Sequence, residues 1–360
     1  MQPKRVNEID LLRFLAALSV VLFHYAFRGY AADGHSVMPY LGLAPVAKYG
    51  FLGVQLFFMI SGFVILMTAA QSSLRDFAIS RLVRLYPAFW VSCTATFLVI
   101  LGAGAPRFSA SFVEYLENMT MLGGFFDVHD MDGAYWSLYV EIRFYVLVAL
   151  VLILGRIEQA QAFLISWLVV SAALTLFPVD KLREWFVVDY SAFFISGAAY
   201  YLIWSKGLSR TRITIVLASF PLALLSVSGM DRFVAHYHTA LDGRVVAGIV
   251  LLFFVAMGLV ATGLTGWLGR RRWALAGAVT YPLYLLHGNI GYIIFNAEYP
   301  RWNAHVLLWG TLVFMILLAY AVNVVIERPV ARPMKAGLNR AFDLLERWFV
   351  RMGIRTSARS

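Results

Sequence analysis

Long apolar runs recur along the whole chain, and they constrain its fold more than any other feature. Of its 360 residues, 61% are hydrophobic and 14% are charged. A helix needs roughly 20 apolar residues to cross a bilayer core, and only helices or closed barrels satisfy every backbone polar group there. The runs are continuous rather than alternating, which excludes a barrel. The sequence therefore predicts an all-α polytopic membrane protein.

Ten segments of the chain are candidate membrane spans. They lie at about residues 9–28, 50–70, 86–104, 134–154, 160–177, 187–205, 211–229, 244–265, 273–295 and 304–326. An even number of spans places both termini on one side of the membrane. Most of the 30 basic residues fall on the side of the N-terminus, and basic residues are retained in the cytoplasm. Both termini are therefore expected in the cytoplasm.

The net charge of +10 follows from this topology and needs no nucleic-acid partner to explain it. We divide the chain into a membrane domain at 1–335 and a basic cytoplasmic tail at 336–360, expected to lie along anionic lipid. The single cysteine, Cys93, sits in an apolar run and is interpreted as a core residue. The bilayer is thus the first partner that the sequence predicts.

Arg13 and His24 are ionisable residues inside the first candidate span. Such groups cost at least a few kcal/mol in a membrane, so they usually face a cavity and serve a function. The two are eleven residues apart, which puts them on one helix face about 16 Å apart along the axis. One stripe of this helix is expected to carry a polar group at each of two depths.

Glu141 in the fourth span and His287 in the ninth fall at about the depth of His24. A carboxylate beside an imidazole can hold its tautomer while the other ring nitrogen takes a hydroxyl proton, so His24 and Glu141 are predicted as a catalytic pair. The alternative is that each of these polar groups has a hydrogen-bond partner on a neighbouring helix and only stabilises helix packing.

A second basic cluster is predicted at the cytoplasmic end of the third span, in SRLVRLYP. Arg81 and Arg84 are three residues apart and can grip phosphates from one helix face, with Arg13 near the same surface. Topology alone also favours arginines at this end. No span carries two histidines at metal-binding spacing, so no metal site is predicted.

Six motifs in sequence resemble those of the acyltransferase 3 family of bacterial integral-membrane O-acyltransferases. The motifs are Arg13-x10-His24, GVQLFFMISGFVI at 53–65, SRLVRLYP at 80–87, YWSLYVEIRFY at 135–145, TYPLYLLH at 280–287 and IERP at 326–329. The resemblance covers about residues 7–335, in the order of the family. It is to the stand-alone form that lacks an SGNH hydrolase-like domain.

The resemblance implies transfer of an acyl group, most often acetyl, from cytoplasmic acyl-CoA to a hydroxyl of a saccharide or another acceptor. Acyl-CoA is then a co-substrate, and no permanently bound cofactor is expected. The reaction is expected at the periplasmic face of the bacterial inner membrane. By the same resemblance His24 of the Arg-x10-His motif is catalytic, Arg81 and Arg84 engage the CoA phosphates, and Glu141 is the carboxylate of the WSLxxE motif. Arg13 is assigned to the CoA site with the two arginines because it lies near the same surface.

His287, Trp136 and Ser137 are assigned to the acceptor site or to the walls of the pocket. The sequence leaves open the acceptor, the acyl length, the oligomeric state, and whether transfer is direct or passes through an acyl-enzyme on a residue such as Ser61. Two other classes remain: a transporter with an intramembrane path of His, Glu and Arg, and a non-catalytic scaffold. Without an evident inverted repeat, the transporter is disfavoured.

Overall fold

A computed structural model describes residues 6–126, 128–155, 157–228, 231–237 and 239–352. All regular elements in these ranges are helices, which confirms the predicted all-α class. The principal helices are α1 (Asn7–Phe23), α2 (Gly53–Ala69), α3 (Leu74–Ala103), α4 (Trp136–Ile153), α5 (Ala160–Leu176), α6 (Val188–Lys206), α7 (Arg210–Ser228), α8 (Gly243–Ala261), α9 (Ala274–Leu286), α10 (Gly288–Glu298), α11 (Ala304–Val322) and α12 (Arg328–Arg351).

Nine helical segments in the described ranges are long and apolar enough to cross a membrane. They correspond to nine of the ten predicted spans, so the chain is a multi-pass membrane protein. The predicted span at 273–295 differs, because it consists of two shorter helices, α9 and α10, that meet at His287. The position of the termini relative to the membrane stays a prediction.

Helix α1 packs between α2 and α9. It continues beyond Phe23 through a π-helical turn at His24–Arg28 and ends at Ala31. Below, the end of the bundle where α1 begins is called the N-terminal end. The other end carries residues 104–126 and 128–135, with the short helix Phe112–Asn118.

Helix α2 packs almost backbone to backbone against α6. A Cβ atom added to Gly62 would lie 2.1 Å from the carbonyl oxygen of Phe194, and one added to Gly197 would lie 1.8 Å from that of Met59. Only glycine permits such an approach, which is a common way for helices to associate within a membrane. The position of α2 in the bundle is therefore tightly fixed.

Helix α12 contains the predicted boundary between domain and tail. It follows α11 through a π-helical turn at Asn323–Glu327 and packs along α3, where Arg75 pairs with Asp343 at 2.7 Å. The predicted tail at 336–360 is thus helical up to residue 351, and 353–360 lie outside the described residues. The division into membrane domain and tail stays a prediction.

Candidate active site

His24 and His287 meet at the centre of the candidate site. His24 opens the π-helical turn that follows α1, and turns of this kind are frequent at functional sites. His287 occupies the break between α9 and α10. Nε2 of His287 lies 2.7 Å from Nδ1 of His24, and the two rings are nearly parallel. Both side chains are buried.

The hydrogen bonds around the two rings define their tautomers. Nδ1 of His287 lies 2.8 Å from the carbonyl oxygen of Tyr284, which can only accept, so this nitrogen carries the proton. Nε2 of a neutral His287 must then accept from the Nδ1–H of His24. The assignment leaves Nε2 of His24 unprotonated, as a general base requires.

Arg28 supports this assignment from the other side of the His24 ring. Its Nη1 lies 3.3 Å from Nε2 of His24, and since a guanidinium can only donate, the nitrogen facing it is an acceptor. Nε of Arg28 donates to Oδ2 of Asp33 at 2.6 Å, which holds the guanidinium in place. A fixed positive charge thus stands beside the basic nitrogen.

Two buried side chains form hydrogen bonds to the backbone at the break between α9 and α10. The hydroxyl of Tyr25 donates to the carbonyl oxygen of His287 at 2.8 Å. Asp132, which is fully buried, accepts from the backbone N–H groups of Asn289 at 2.8 Å and Ala134 at 3.0 Å. Burial raises the pKa of this carboxyl to about 6. The contacts with the His287 carbonyl and the Asn289 N–H satisfy backbone groups at the break, and the contact with Ala134 holds the Asp132 carboxylate in place.

Glu141 does not pair with His24, contrary to the sequence-based prediction. Its Oε1 accepts a hydrogen bond from the Ser61 hydroxyl at 2.5 Å, and the partner of His24 is His287 instead. The prediction placed Glu141 at the depth of His24, but Glu141 contacts α2 at Ser61 and lines a cavity together with Arg13. His24 lies about 16 Å further along α1 than Arg13, so the two predicted partners lie at different levels of the bundle.

The structure brings Arg13, Arg81 and Arg84 together, as the sequence predicted. All three line one cavity of about 110 Å³, here called the basic cavity, which also contains Ser61 and Glu141. Arg13 and Arg84 also line an adjoining cavity of about 400 Å³ at the N-terminal end.

Arg84 is held by the turn that precedes α12. Its Nη1 lies 3.1 Å from Oε1 of Glu327, and Oε2 of Glu327 accepts from the Asn323 amide at 2.5 Å. Glu327 belongs to the IERP motif that the sequence singled out. Two carboxylates therefore lie beside the arginine cluster, Glu327 at Arg84 and Glu141 in the basic cavity.

Two cavities adjoin His24. The central cavity, of about 340 Å³, contains His24, Arg28 and the predicted pocket residue Trp136. The outer cavity, of about 420 Å³, opens at the far end of the bundle and also contains His24 and Arg28. The predicted residue Ser137 lines the basic cavity and lies 2.7 Å from the hydroxyl of Tyr284.

The four cavities adjoin one another in series, because neighbouring cavities share lining residues. The N-terminal cavity meets the basic cavity at Arg13 and Arg84, and the basic cavity meets the central one at Val54 and Tyr284. The central and outer cavities share His24 and Arg28. His24 therefore lines two of the four cavities that follow one another from the N-terminal end of the bundle towards the other end.

With this geometry established, the chain was compared with known proteins. The family model described as an acyltransferase domain, that of acyltransferase 3, matches residues 6–328. This chain belongs to the acyltransferase 3 family. Its membership confirms the enzyme class that the motifs predicted, and the matched range contains every site residue discussed above.

Two curated relatives are similar to parts of this acyltransferase 3 chain. Nodulation protein 10 of Rhizobium leguminosarum bv. viciae is 30% identical over 185 residues, which is 44% of this chain and 48% of the relative. A protein of Bacillus subtilis (strain 168), with the provisional name peptidoglycan O-acetyltransferase YrhL, is 26% identical over 235 residues, or 57% of this chain and 34% of the relative. The matches thus cover less than half of each relative. No solved structure matches the chain.

Sequence reasoning missed three residues of this acyltransferase 3 site. Arg28 carried a usable signal, since it follows His24 by four residues and so shares its helix face. Asp132 and Tyr25 carried none, because their roles depend on the helix break at His287. A histidine followed directly by glycine inside an apolar span is the sequence feature that indicates this break.

The raised pKa of Asp132 predicts a pH dependence of stability. Because its folded-state pKa of about 6 exceeds the ordinary value of 3.8, the folded chain binds this proton more tightly than the unfolded chain. The unfolding free energy of the native protein, minus that of Asp132→Asn, should fall by about 3 kcal/mol in all as pH rises from about 3 to 7, with about 2 kcal/mol of the fall between pH 4 and 6. Denaturant unfolding in detergent micelles measures both unfolding free energies at each pH. A difference between them that does not change with pH would contradict the prediction.

Proposed function

We propose that this protein transfers an acyl group, acetyl by preference, from cytoplasmic acyl-CoA to a hydroxyl of a cell-surface or exported saccharide. The observation that carries the proposal is the position of His24, which lines two adjoining cavities of the series that crosses the bundle and whose Nε2 is unprotonated. Family membership supports the acyl transfer. We place the protein in a bacterial inner membrane with both termini in the cytoplasm.

The basic cavity is the proposed donor site. Guanidinium groups bind phosphate oxygens through paired N–H donors, and three of them converge here from α1 and α3. Glu327 orients Arg84, while Glu141 balances charge and holds Ser61. In this proposal Glu141 serves the donor side and does not act on His24.

The outer cavity is the proposed acceptor site. Its wall includes Phe108 and Tyr292, whose rings are nearly parallel with centroids 6.4 Å apart, and His35 lies against both. Aromatic faces offer apolar area to the C–H faces of a sugar ring, while Arg28 and Asn289 offer polar contacts to its hydroxyls. The name of the Bacillus relative supports a saccharide acceptor.

His24 is the proposed general base. Its Nε2 takes the proton of the acceptor hydroxyl while the oxygen attacks the thioester carbonyl, forming a C–O bond and a tetrahedral oxyanion. Arg28, which donates to Nε2 before the acceptor binds, donates to this oxyanion instead and stabilises its negative charge. Collapse of the intermediate breaks the C–S bond, and the thiolate leaves as a thiol with the proton returned by His24. The products are an ester and free CoA.

His287 is the proposed positioning residue for His24. It accepts from Nδ1–H of His24 and donates to the Tyr284 carbonyl, so it fixes the ring and its tautomer as the third member of a catalytic triad does. Unlike the carboxylate of that triad, His287 is neutral, and its hydrogen bond to the Tyr284 carbonyl oxygen orients its ring. We assign His287 to this role and not to the acceptor.

A transporter is the competing function, since a series of cavities across the bundle and a broken helix are also features of transporters. Transport would move a solute without forming an ester. The two functions therefore differ in their chemical product.

Replacing His24 tests the proposed function. Membranes containing the native protein should transfer labelled acetyl from acetyl-CoA to saccharide, and His24→Ala should lower the rate about 10²–10⁴-fold, the usual contribution of a general base. The control is His305→Ala, on α11, whose ring contacts Tyr40 and lines none of the cavities of the series. Solute uptake without ester formation would identify a transporter, and equal transfer by His24→Ala would contradict the assigned base.

Replacing His287 tests its positioning role. His287→Ala should lower kcat about 10²-fold or more and leave the KM for acetyl-CoA within about twofold, because it removes the partner of His24 and no donor contact. His287→Asn retains an acceptor for His24 and a donor for the Tyr284 carbonyl, so it should recover part of kcat. If both variants raised KM and left kcat unchanged, His287 would belong to the binding site instead.

Replacing Arg84 tests the donor site. Arg84→Ala should raise the KM for acetyl-CoA about 10–100-fold, since a charge-assisted contact to phosphate contributes about 1.5–3 kcal/mol. It should change the KM for acetyl-pantetheine, which lacks the phosphates, much less. Arg75→Ala is the matched control, because Arg75 lies on the same helix but pairs with α12. Equal effects on both thioesters would place the phosphates elsewhere.

A further inference from the structure

The basic cavity and the central cavity share two lining residues, Val54 of α2 and Tyr284 of α9. A residue that lines two adjoining cavities forms the wall between them. We propose that Val54 and Tyr284 form a throat between the donor site and His24, and that this throat limits the cross-section of the acyl group. This inference rests on the proposed function and adds the residues that determine its specificity.

Tyr284 is held rigidly on its side of the throat. Its hydroxyl lies 2.7 Å from the Ser137 hydroxyl and 3.1 Å from the carbonyl oxygen of Ala134. Its ring centroid is 5.7 Å from those of Phe57 and His287, so the ring stands between the donor cavity and the histidine pair. Its carbonyl also fixes the His287 ring. Moving Tyr284 would disturb all of these contacts together.

Val54 is held equally firmly on the opposite side. A Cβ atom added to its neighbour Gly53 would lie 2.6 Å from the carbonyl oxygen of Ala16, so α2 begins in direct backbone contact with α1. Further along α2, Gly62 is in backbone contact with α6. Helix α2 is thus fixed at both points and cannot retreat to widen the throat.

The throat lies on the route that the donor must take. Arg13 lies in the basic cavity and His24 in the central cavity, about 16 Å apart along α1. A donor whose phosphates bind the arginines reaches His24 only by passing its acyl end through the throat first. The basic cavity, of about 110 Å³, is the smallest of the four cavities along this path. An acetyl group is slim enough to pass, whereas a group branched at its second carbon meets the two side chains.

The test compares acetyl-CoA with isobutyryl-CoA as labelled donors in membranes that contain the protein. Val54→Ala should raise the ratio of isobutyryl to acetyl transfer at least about tenfold, because one or two methyl groups in a rigid site discriminate by about that factor. Tyr284→Phe removes the hydroxyl but keeps the ring, so its ratio should stay within about threefold of the native one. Val313→Ala, on the exposed face of α11, is the matched control and should leave the ratio unchanged.

A second variant keeps the test independent of the folding of Val54→Ala. The native chain has one cysteine, Cys93, which is buried. In Val54→Cys, alkylation by N-ethylmaleimide should narrow the throat and lower acetyl transfer at least tenfold, and prior addition of acetyl-CoA should slow the labelling. The native protein treated with the same reagent should retain its transfer.

The outcomes separate the throat from the proposed function. Absence of acetyl transfer by the native protein would overturn the proposed function. Native acetyl transfer combined with an unchanged ratio in Val54→Ala, at an unchanged melting temperature, would overturn the throat alone. Full acetyl transfer by alkylated Val54→Cys would overturn it as well.

Discussion

The hydrogen bond between His24 and His287 is the interaction on which the rest of the site depends. It joins the π-helical end of α1 to the break between α9 and α10, two irregular places in otherwise regular helices. The Tyr284 carbonyl oxygen requires a proton on Nδ1 of His287, and the Arg28 guanidinium requires an unprotonated Nε2 on His24. The bond between the two rings is consistent with both requirements. A chain of four groups therefore keeps Nε2 of His24 unprotonated where His24 lines two cavities.

Breaking a helix inside a membrane protein exposes backbone groups that have no water to bind, so the break persists only where other groups replace the lost bonds. Tyr25 and Asp132 do so here, one from the same helix as His24 and the other from the segment before α4. Asp132 thus supports the histidine pair through the backbone of α10 and not by contact with either ring. The contacts of Tyr25 and Asp132 stabilise the helix break that positions His287.

Much of this arrangement was predictable from the sequence. Apolar runs give the helices, and the cost of buried charge marks Arg13, His24, Glu141 and His287 as residues that need polar surroundings. The three arginines were expected together because two share a helix end and the third shares its depth. These predictions use only spacing along one helix and distance from the membrane surface.

The pairing of residues between helices was not predictable in this way. Glu141 and His287 were both expected at the depth of His24, but only His287 contacts it, and Glu141 contacts Ser61 in the cavity that Arg13 lines. Span ends predicted from a sequence carry errors of a few residues, and the rotation of each helix is not predicted at all. Rotation follows from packing, such as the glycine contacts that fix α2, and a single sequence does not report it. The break at His287 also turned one predicted span into two helices.

The neutral character of the histidine pair has a consequence for the timing of the reaction. A serine-protease histidine that has taken a proton is stabilised by a carboxylate, but His24 has only an uncharged ring behind it and a guanidinium in front of it. In the proposed reaction, an imidazolium between these neighbours is disfavoured, so the proton would pass to the leaving sulfur soon after the alcohol attacks. The proposal therefore favours a site that holds donor and acceptor at the same time.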